Sequence, residues 1–257
     1  IADKFLCANI YDASDVISVI KKFSGKLKID GVMTIAADNV LAWSKIAKYL
    51  SVTGPSLTSA ILSVNKILQK DRFKKYGINI PEFFKISKYE DLVTVLDNHP
   101  NEYVLKPDDS RGARGVIRIK NKSEAKKAFS YSSQFSSENL ILEEWLNGPQ
   151  LSVEAIVWEG KVYLSGVADR NYDLLYELYP FVIENGGETP SKHSPEFDSD
   201  LTEILQECTL AVGLKCGTIK GDIVIYKGKP FIIEVAIRLS GGYWSTITIP
   251  RVYGINL

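Results

Sequence analysis

Histidine is nearly absent: His99 and His193 are the only two in 257 residues. That counts against His-rich metal centres and against Ser-His-Asp hydrolysis, which needs an imidazole base. Cysteine is scarce as well. Cys7, Cys208 and Cys216 are an odd number and include no close-spaced pair. A disulfide framework and a zinc knuckle are therefore not expected, and a reducing compartment, the cytoplasm, fits. There is no surplus of charge. Lys and Arg together number 31, as do Asp and Glu, so no basic field points to nucleic acid or an anionic membrane. No apolar run is long enough to span a bilayer. The chain begins at Ile1 rather than Met and stops at residues 252–257 without a polar tail, so both ends are expected to be cut.

The most informative stretch is residues 219–242, IKGDIVIYKGKPFIIEVAIRLSGG. Two runs rich in β-branched and aromatic residues flank the turn signal Lys227-Gly228-Lys229-Pro230. They predict a β-hairpin with strands near 221–226 and 231–236. Each strand carries one carboxylate, Asp222 and Glu234. Strand side chains alternate between faces, so a loop of three or five residues would set Asp222 opposite Glu234, and that register is expected. Two acids so close need a cation between them. Mg2+ is the expected one, because it takes oxygen ligands and is often held by one or two carboxylates plus substrate phosphates. Arg238-Leu239-Ser240-Gly241-Gly242 follows, with a fixed positive charge, a hydroxyl and two glycines that let backbone approach a ligand. A surface hairpin with two solvated acids is the bland alternative.

The rest of the chain alternates strand and helix at first. A short strand is expected at 4–10, a helix at 12–24, a buried strand at 31–36 and a helix at 38–50, which together resemble the back half of a Rossmann-like unit. Gly54-Pro55 marks a boundary. Residues 57–76 read as one helix or two in tandem. Of its lysines, Lys66 follows Asn65, and most of Lys66, Lys70, Lys74 and Lys75 read as a solvated face. Residues 102–106 predict a strand running into Pro107-Asp108-Asp109-Ser110-Arg111-Gly112-Ala113-Arg114-Gly115, with another strand from Val116. Such a glycine-containing loop can cradle a phosphate on its backbone N–H groups, although it is neither a Walker loop nor a GxGxxG fingerprint. Lys106 ends an apolar run, where a cation is costly unless an anion meets it. A helix is expected at 123–129, then strands at 139–146, 150–158 and 162–167. An irregular Tyr/Gly/Pro-rich connection at 169–197, of a length usually tied to function, leads to a helix at 200–212.

This order of parts resembles the ATP-grasp superfamily. The resemblance rests on the lysine-bearing helix, the strand-Lys-Pro loop ending Gly-x-Arg-Gly-Val, the Leu-Glu-Glu-Trp-Leu-x-Gly-Pro hinge at 142–149, and Asp222 with Ile-Glu-Val-x-x-Arg-Leu-Ser-Gly-Gly at 233–242. It is similar to the carboxylate–amine ligase and carbamoyl-phosphate-synthase-like branch. The fold implied is α/β and α+β: a partial Rossmann-like leading domain at 1–56, then a two-lobed ATP-grasp domain at 57–257 with a small lobe near 101–167 and a C-terminal lobe near 168–257. The resemblance implies ATP and Mg2+, with Mn2+ as the alternative ion. Lys66 and Lys106 would touch the phosphates, with Ser110, Gly112, Ala113 and Gly115 closing over them. Glu143, Glu144, Trp145 and Leu146 would hold adenine. Gln150 stands where a ribose-binding glutamate is usual. Asp222 and Glu234 would ligate Mg2+, and Ala236 stands where an asparagine normally completes a second metal site. Lys220 takes a position that is often a phosphate-binding arginine, and Arg238 and Ser240 would face an acyl phosphate. The implied activity is an ADP-forming carbon–nitrogen ligase acting on a small-molecule carboxylate and amine, with a homodimer as the oligomer left open. A carbamoyl-phosphate-synthase-like or carboxylase reaction, or a non-catalytic nucleotide-binding module, remains the alternative.

Overall fold

The computed structural model describes residues 4–23, 28–110 and 112–256. Its frame is two antiparallel sheets with a cleft between them. The first has the order β1-β4-β2-β3, from β1 (Phe83–Ile86), β2 (Tyr103–Pro107), β3 (Ile117–Ile119) and β4 (Leu140–Glu144). Helices α5 (Tyr89–Asn98) and α6 (Ala125–Ser132) cover one face. Leu92, Tyr103, Leu105, Ile119, Ala128 and Leu142 are buried there. The alternating strand leaves Val104, Lys106 and Glu143 on the other face, since Val104 pairs directly with Glu143.

The second sheet has the order β7-β6-β5-β8-β9, from β5 (Gln150–Trp158), β6 (Lys161–Asn171), β7 (Gly186–Glu188), β8 (Gly217–Tyr226) and β9 (Lys229–Ala236). Leu151, Val153, Ala155, Ile219 and Val235 pack with α7 (Asp198–Val212) in the main core. The opposite face is polar, and register orders it into rows. Arg170, Gln150 and Val224 form one row, Ser152, Asp222 and Glu234 the next, and Glu154, Lys220 and Ala236 the third. The division between sheets falls between 144 and 150. The expected small lobe of 101–167 is thus shared between them, because β5 pairs with β6 and β8 rather than with β4.

Asp222 does lie opposite Glu234. The loop length that was to produce this pairing is different. Tyr226 pairs with Lys229, leaving a two-residue turn in which Lys227 (φ 51°) and Gly228 (φ 74°) are both left-handed, as a type I′ turn requires. That turn alone would set Asp222 against Ile233. A β-bulge between Asp222 and Ile223 shifts the register by one, which also turns Ile233 and Glu234 together toward the cleft.

The leading residues form α1 (Ala13–Phe23) and α2 (Val40–Leu50), close to the expected helices. Neither expected strand is present. Residues 4–10 are irregular, and 31–36 give one isolated bridge, Ile35 to Leu239. A strand needs a neighbour along its length, and only Leu239 offers one. The 57–76 stretch forms two helices, α3 (Leu57–Leu62) and α4 (Lys66–Lys75), with Asn65 capping the second through its side chain. Helix α4 lies along β9. The Gln69 amide donates to the Val235 carbonyl and accepts from the Val235 N–H, both at 2.9 Å. Lys70 Nζ donates to the Ile232 carbonyl at 2.8 Å.

Residues 172–185 cross from β6 back to the first sheet. The Arg118 N–H donates to the Pro180 carbonyl at 2.8 Å, Ile117 bridges Phe181, and the Tyr179 hydroxyl donates to Glu124. This strap closes one side of the cleft. On the other side, the loop after β2 turns at Gly115 (φ +76°), where a Cβ would sit 2.7 Å from Pro107 Cγ and 2.9 Å from Phe135 Cβ. Gly115→Ala should cost about 1–3 kcal/mol of stability by overpacking. Gly112→Ala, where a Cβ meets nothing within 4 Å, should cost less. Urea unfolding of the two variants checks this, and equal midpoints would show that the loop base gives way freely.

Candidate active site

The cleft holds two adjoining cavities. One, of about 170 Å3, is lined by Val104, Lys106, Glu143, Trp145, Leu146 and Gln150 among others. The other, of about 470 Å3, reaches Ser63, Lys220, Ala236 and Arg238. Lys66, Ser110, Arg170, Asp222 and Glu234 line both, so these residues stand at the junction.

At the inner end a buried ion cluster joins three elements. Lys106 Nζ lies 2.9 Å from Glu143 Oε2, and Lys70 Nζ lies 3.6 Å from the same oxygen. Burial would push the Glu143 carboxyl up, but Lys106 and Lys70 outweigh it and hold the group below its usual range. Burial lowers Lys70 to about 8, with Glu143 offsetting part of the effect. Glu143 Oε1 is buried with no hydrogen-bond partner. Lys70 was expected on a solvated face and is instead 1% exposed. Hydropathy gives no warning of it, since α4 leaves Leu68 exposed while burying Gln69 and Lys70. The available signal is its place one turn after Lys66, on the same helix face.

At the junction, Lys66 Nζ donates to the Ser110 carbonyl at 2.7 Å and stands 3.6 Å from Glu234. Asp222 is contacted by Lys220 at 2.8 Å and Arg170 at 3.2 Å. Burial raises the Asp222 carboxyl, yet the two cations hold it well below the ordinary carboxylate range. Protein side chains thus supply the positive charge that the paired acids demand. No group of three or more His, Cys, Asp or Glu suited to a metal occurs among the described residues. The pair could hold Mg2+ only with further oxygens from a ligand or water, which is the ordinary habit of that ion.

At the far end, Arg238 Nε donates to Asp38 at 2.6 Å. Ser240 is reached differently from expectation. Its hydroxyl is buried without a partner, its residue does not line either cavity, and its N–H donates to Glu154 Oε1 at 2.8 Å. Glu154, fully buried on β5 opposite the bulge at Ser165 of β6, also accepts from the Ser245 hydroxyl at 2.8 Å, and burial pushes its carboxyl up despite these bonds. Gly115 likewise lies off the cavity walls, its carbonyl taken by the Ser132 hydroxyl. Gly112 and Ala113 line both cavities, each with positive φ. Arg111 lies outside the described residues. Glu144 and Trp145 line the smaller cavity, and the Arg118 guanidinium sits 4.2 Å over the Trp145 ring. Asp38, Lys70 and Glu154 were not anticipated as site residues.

The ATP-grasp domain family matches residues 63–242, and the chain belongs to that family. It is similar to the L-arginine-specific L-amino acid ligase of Bacillus subtilis, 20% identical over 97% of this chain and 62% of that protein. It is also similar to the phosphoribosylamine–glycine ligase of Streptococcus pneumoniae strain R6, 24% identical over 79% of this chain and 51% of that protein. Among solved structures, an L-amino acid ligase from Bacillus licheniformis superposes with a TM-score of 0.79 at 21% identity, over 95% of this chain and 58% of that one. Biotin carboxylase from Campylobacter jejuni gives 0.77 at 17% identity, over 96% and 55%. The chain thus spans between about half and three fifths of the length of these relatives. No helix among the described residues is long and apolar enough to cross a membrane.

Proposed function

We propose that this chain is the nucleotide-binding part of an ATP- and Mg2+-dependent carboxylate–amine ligase that works through an acyl phosphate. The observation that carries the proposal is the direct pairing of Asp222 with Glu234 at the junction of the two cavities. Lys66 flanks Glu234, and Lys220 and Arg170 flank Asp222. ATP is read as lying with its base in the smaller cavity and its phosphates at the junction. A carboxylate is a poor electrophile. Phosphorylation at its oxygen, with ADP leaving, makes it reactive, and attack by an amine then expels phosphate. Mg2+, when bound, would neutralise phosphate charge. Lys66 and Lys220 would do the same from fixed positions, and Arg238 would orient the acyl group. Such transfer needs positioning and electrostatics more than a nucleophilic side chain, in keeping with the shortage of histidine.

A carboxylase or carbamoyl-phosphate-type reaction is the second reading. It is favoured by the similar superposition on biotin carboxylase. The test is ADP release with a panel of amino acids, singly and in pairs, with and without bicarbonate. Release that requires an amino acid and ignores bicarbonate supports the ligase, and strict bicarbonate dependence supports the second reading. Hydrogen exchange gives an independent check. The exposed Gly112 and Ala113 should gain protection on adding a Mg2+–ATP analogue, because phosphate oxygens would then accept from this stretch of backbone. Unchanged exchange there would count against a phosphate-closing loop.

A further inference from the structure

The geometry points to Lys70 as the positioning residue that orients Glu143 to read the amino group of adenine. The inference rests on the ATP reading above and adds how the base is selected. Glu143 sits on the wall of the smaller cavity and is 2% exposed. One of its oxygens, Oε2, is held from two sides, by Lys106 from β2 and by Lys70 from α4. The other, Oε1, has no partner. A buried carboxylate oxygen without a donor is costly unless a ligand supplies one.

Two cations on the same oxygen fix the orientation of the carboxyl plane and so where the other oxygen points. With Lys106 alone the carboxyl group could turn about that one contact. Lys70 removes that freedom, because its own ammonium is anchored on the Ile232 carbonyl. Lys70 does not line either cavity, so its influence on a nucleotide must pass through Glu143. A free, ionised acceptor at this wall favours a base edge that carries a donor. Adenine has one in its amino group. Hypoxanthine presents a carbonyl at the same place, whose lone pairs would meet the carboxylate oxygen.

The test compares ATP with inosine 5′-triphosphate, both with Mg2+, by calorimetry on the wild-type chain and on Lys70→Met and Lys70→Gln. Wild type should prefer ATP by about ten- to hundredfold, the range of one hydrogen bond to a charged group. In the variants ATP should weaken toward the inosine nucleotide, whose own affinity should change less than about threefold, so the preference collapses. Lys70→Gln retains a donor for Ile232, and it is the variant to read if Lys70→Met does not fold. A wild type that binds neither nucleotide would overturn the ATP reading together with this inference. A wild type that binds both equally would overturn the inference alone. So would variants that lose both nucleotides in the same proportion, because that pattern marks a lysine that only supports the fold.

Discussion

Glu234→Gln is expected to abolish ADP release, with a loss on the order of a thousandfold or more, since charge stabilisation of a moving phosphoryl group contributes several kcal/mol. The amide keeps the shape of Glu234 and removes its charge. Glu234 is about one-third exposed and stands 3.6 Å from Lys66, so the fold should survive. A thermal midpoint near that of wild type is expected alongside the lost activity. The neighbouring Ala236 sharpens the test. Its methyl offers no ligand, so any second ion there would rely on water and phosphate oxygens. Ala236→Asn should lower the Mg2+ concentration needed for half-maximal rate. Initial rates across a Mg2+ titration read both effects. Activity of Glu234→Gln within tenfold of wild type would refute the metal assignment. An unchanged midpoint for Ala236→Asn would show that position 236 does not face an ion.

Lys106→Ala is expected to weaken ATP by about ten- to hundredfold and to destabilise the chain. Lys106 is 6% exposed and holds Glu143 at 2.9 Å. Breaking a buried pair from one side costs about 3–5 kcal/mol, and Lys70 at 3.6 Å from the same oxygen should keep the loss toward the low end. Lys122→Ala is the control. Lys122 pairs with Asp97 in the open, with about half of each side chain exposed, and such pairs contribute about 0–1 kcal/mol. Calorimetry for affinity and urea unfolding for stability should separate the two variants clearly. Equal ATP affinity would remove Lys106 from the nucleotide site.

Elements built from residues close in the chain are legible in the sequence, and long-range arrangements are not. The hairpin at 217–236 and the strand ending at Lys106 and Pro107 are specified within a few residues. The Asp222–Glu234 pairing was expected from a loop of three or five residues, whereas a two-residue turn and a bulge achieve it, and the bulge has no mark in the sequence, because Ile232 and Ile233 are alike. The strands expected at 4–10 and 31–36 failed since apolar runs do not show whether a partner strand exists. The burial of Lys70 and of Glu154 leaves no mark in the local sequence, for a shared reason. Burial of a charged group is decided by what arrives from elsewhere, here β4 for Lys70 and the turn after Arg238 for Glu154. The strap at 172–185 read only as irregular, and its anchor points on Arg118, Ile117 and Glu124 lie more than fifty residues earlier in the chain.

Strand β9 is the outermost strand of its sheet, and an outermost strand offers its unpaired backbone groups to any passing chain. Here Gln69 occupies both polar groups of Val235, Lys70 occupies the carbonyl of Ile232, and the Ile232 N–H goes to Asn79. The helix that brings Lys66 to the cleft therefore also seals the sheet against edge-to-edge association. Substitutions on its inner face would carry a double penalty: a site out of place, and a bare β edge able to recruit other copies of the chain. Solubility at high concentration should accordingly follow the integrity of α4 as closely as activity does.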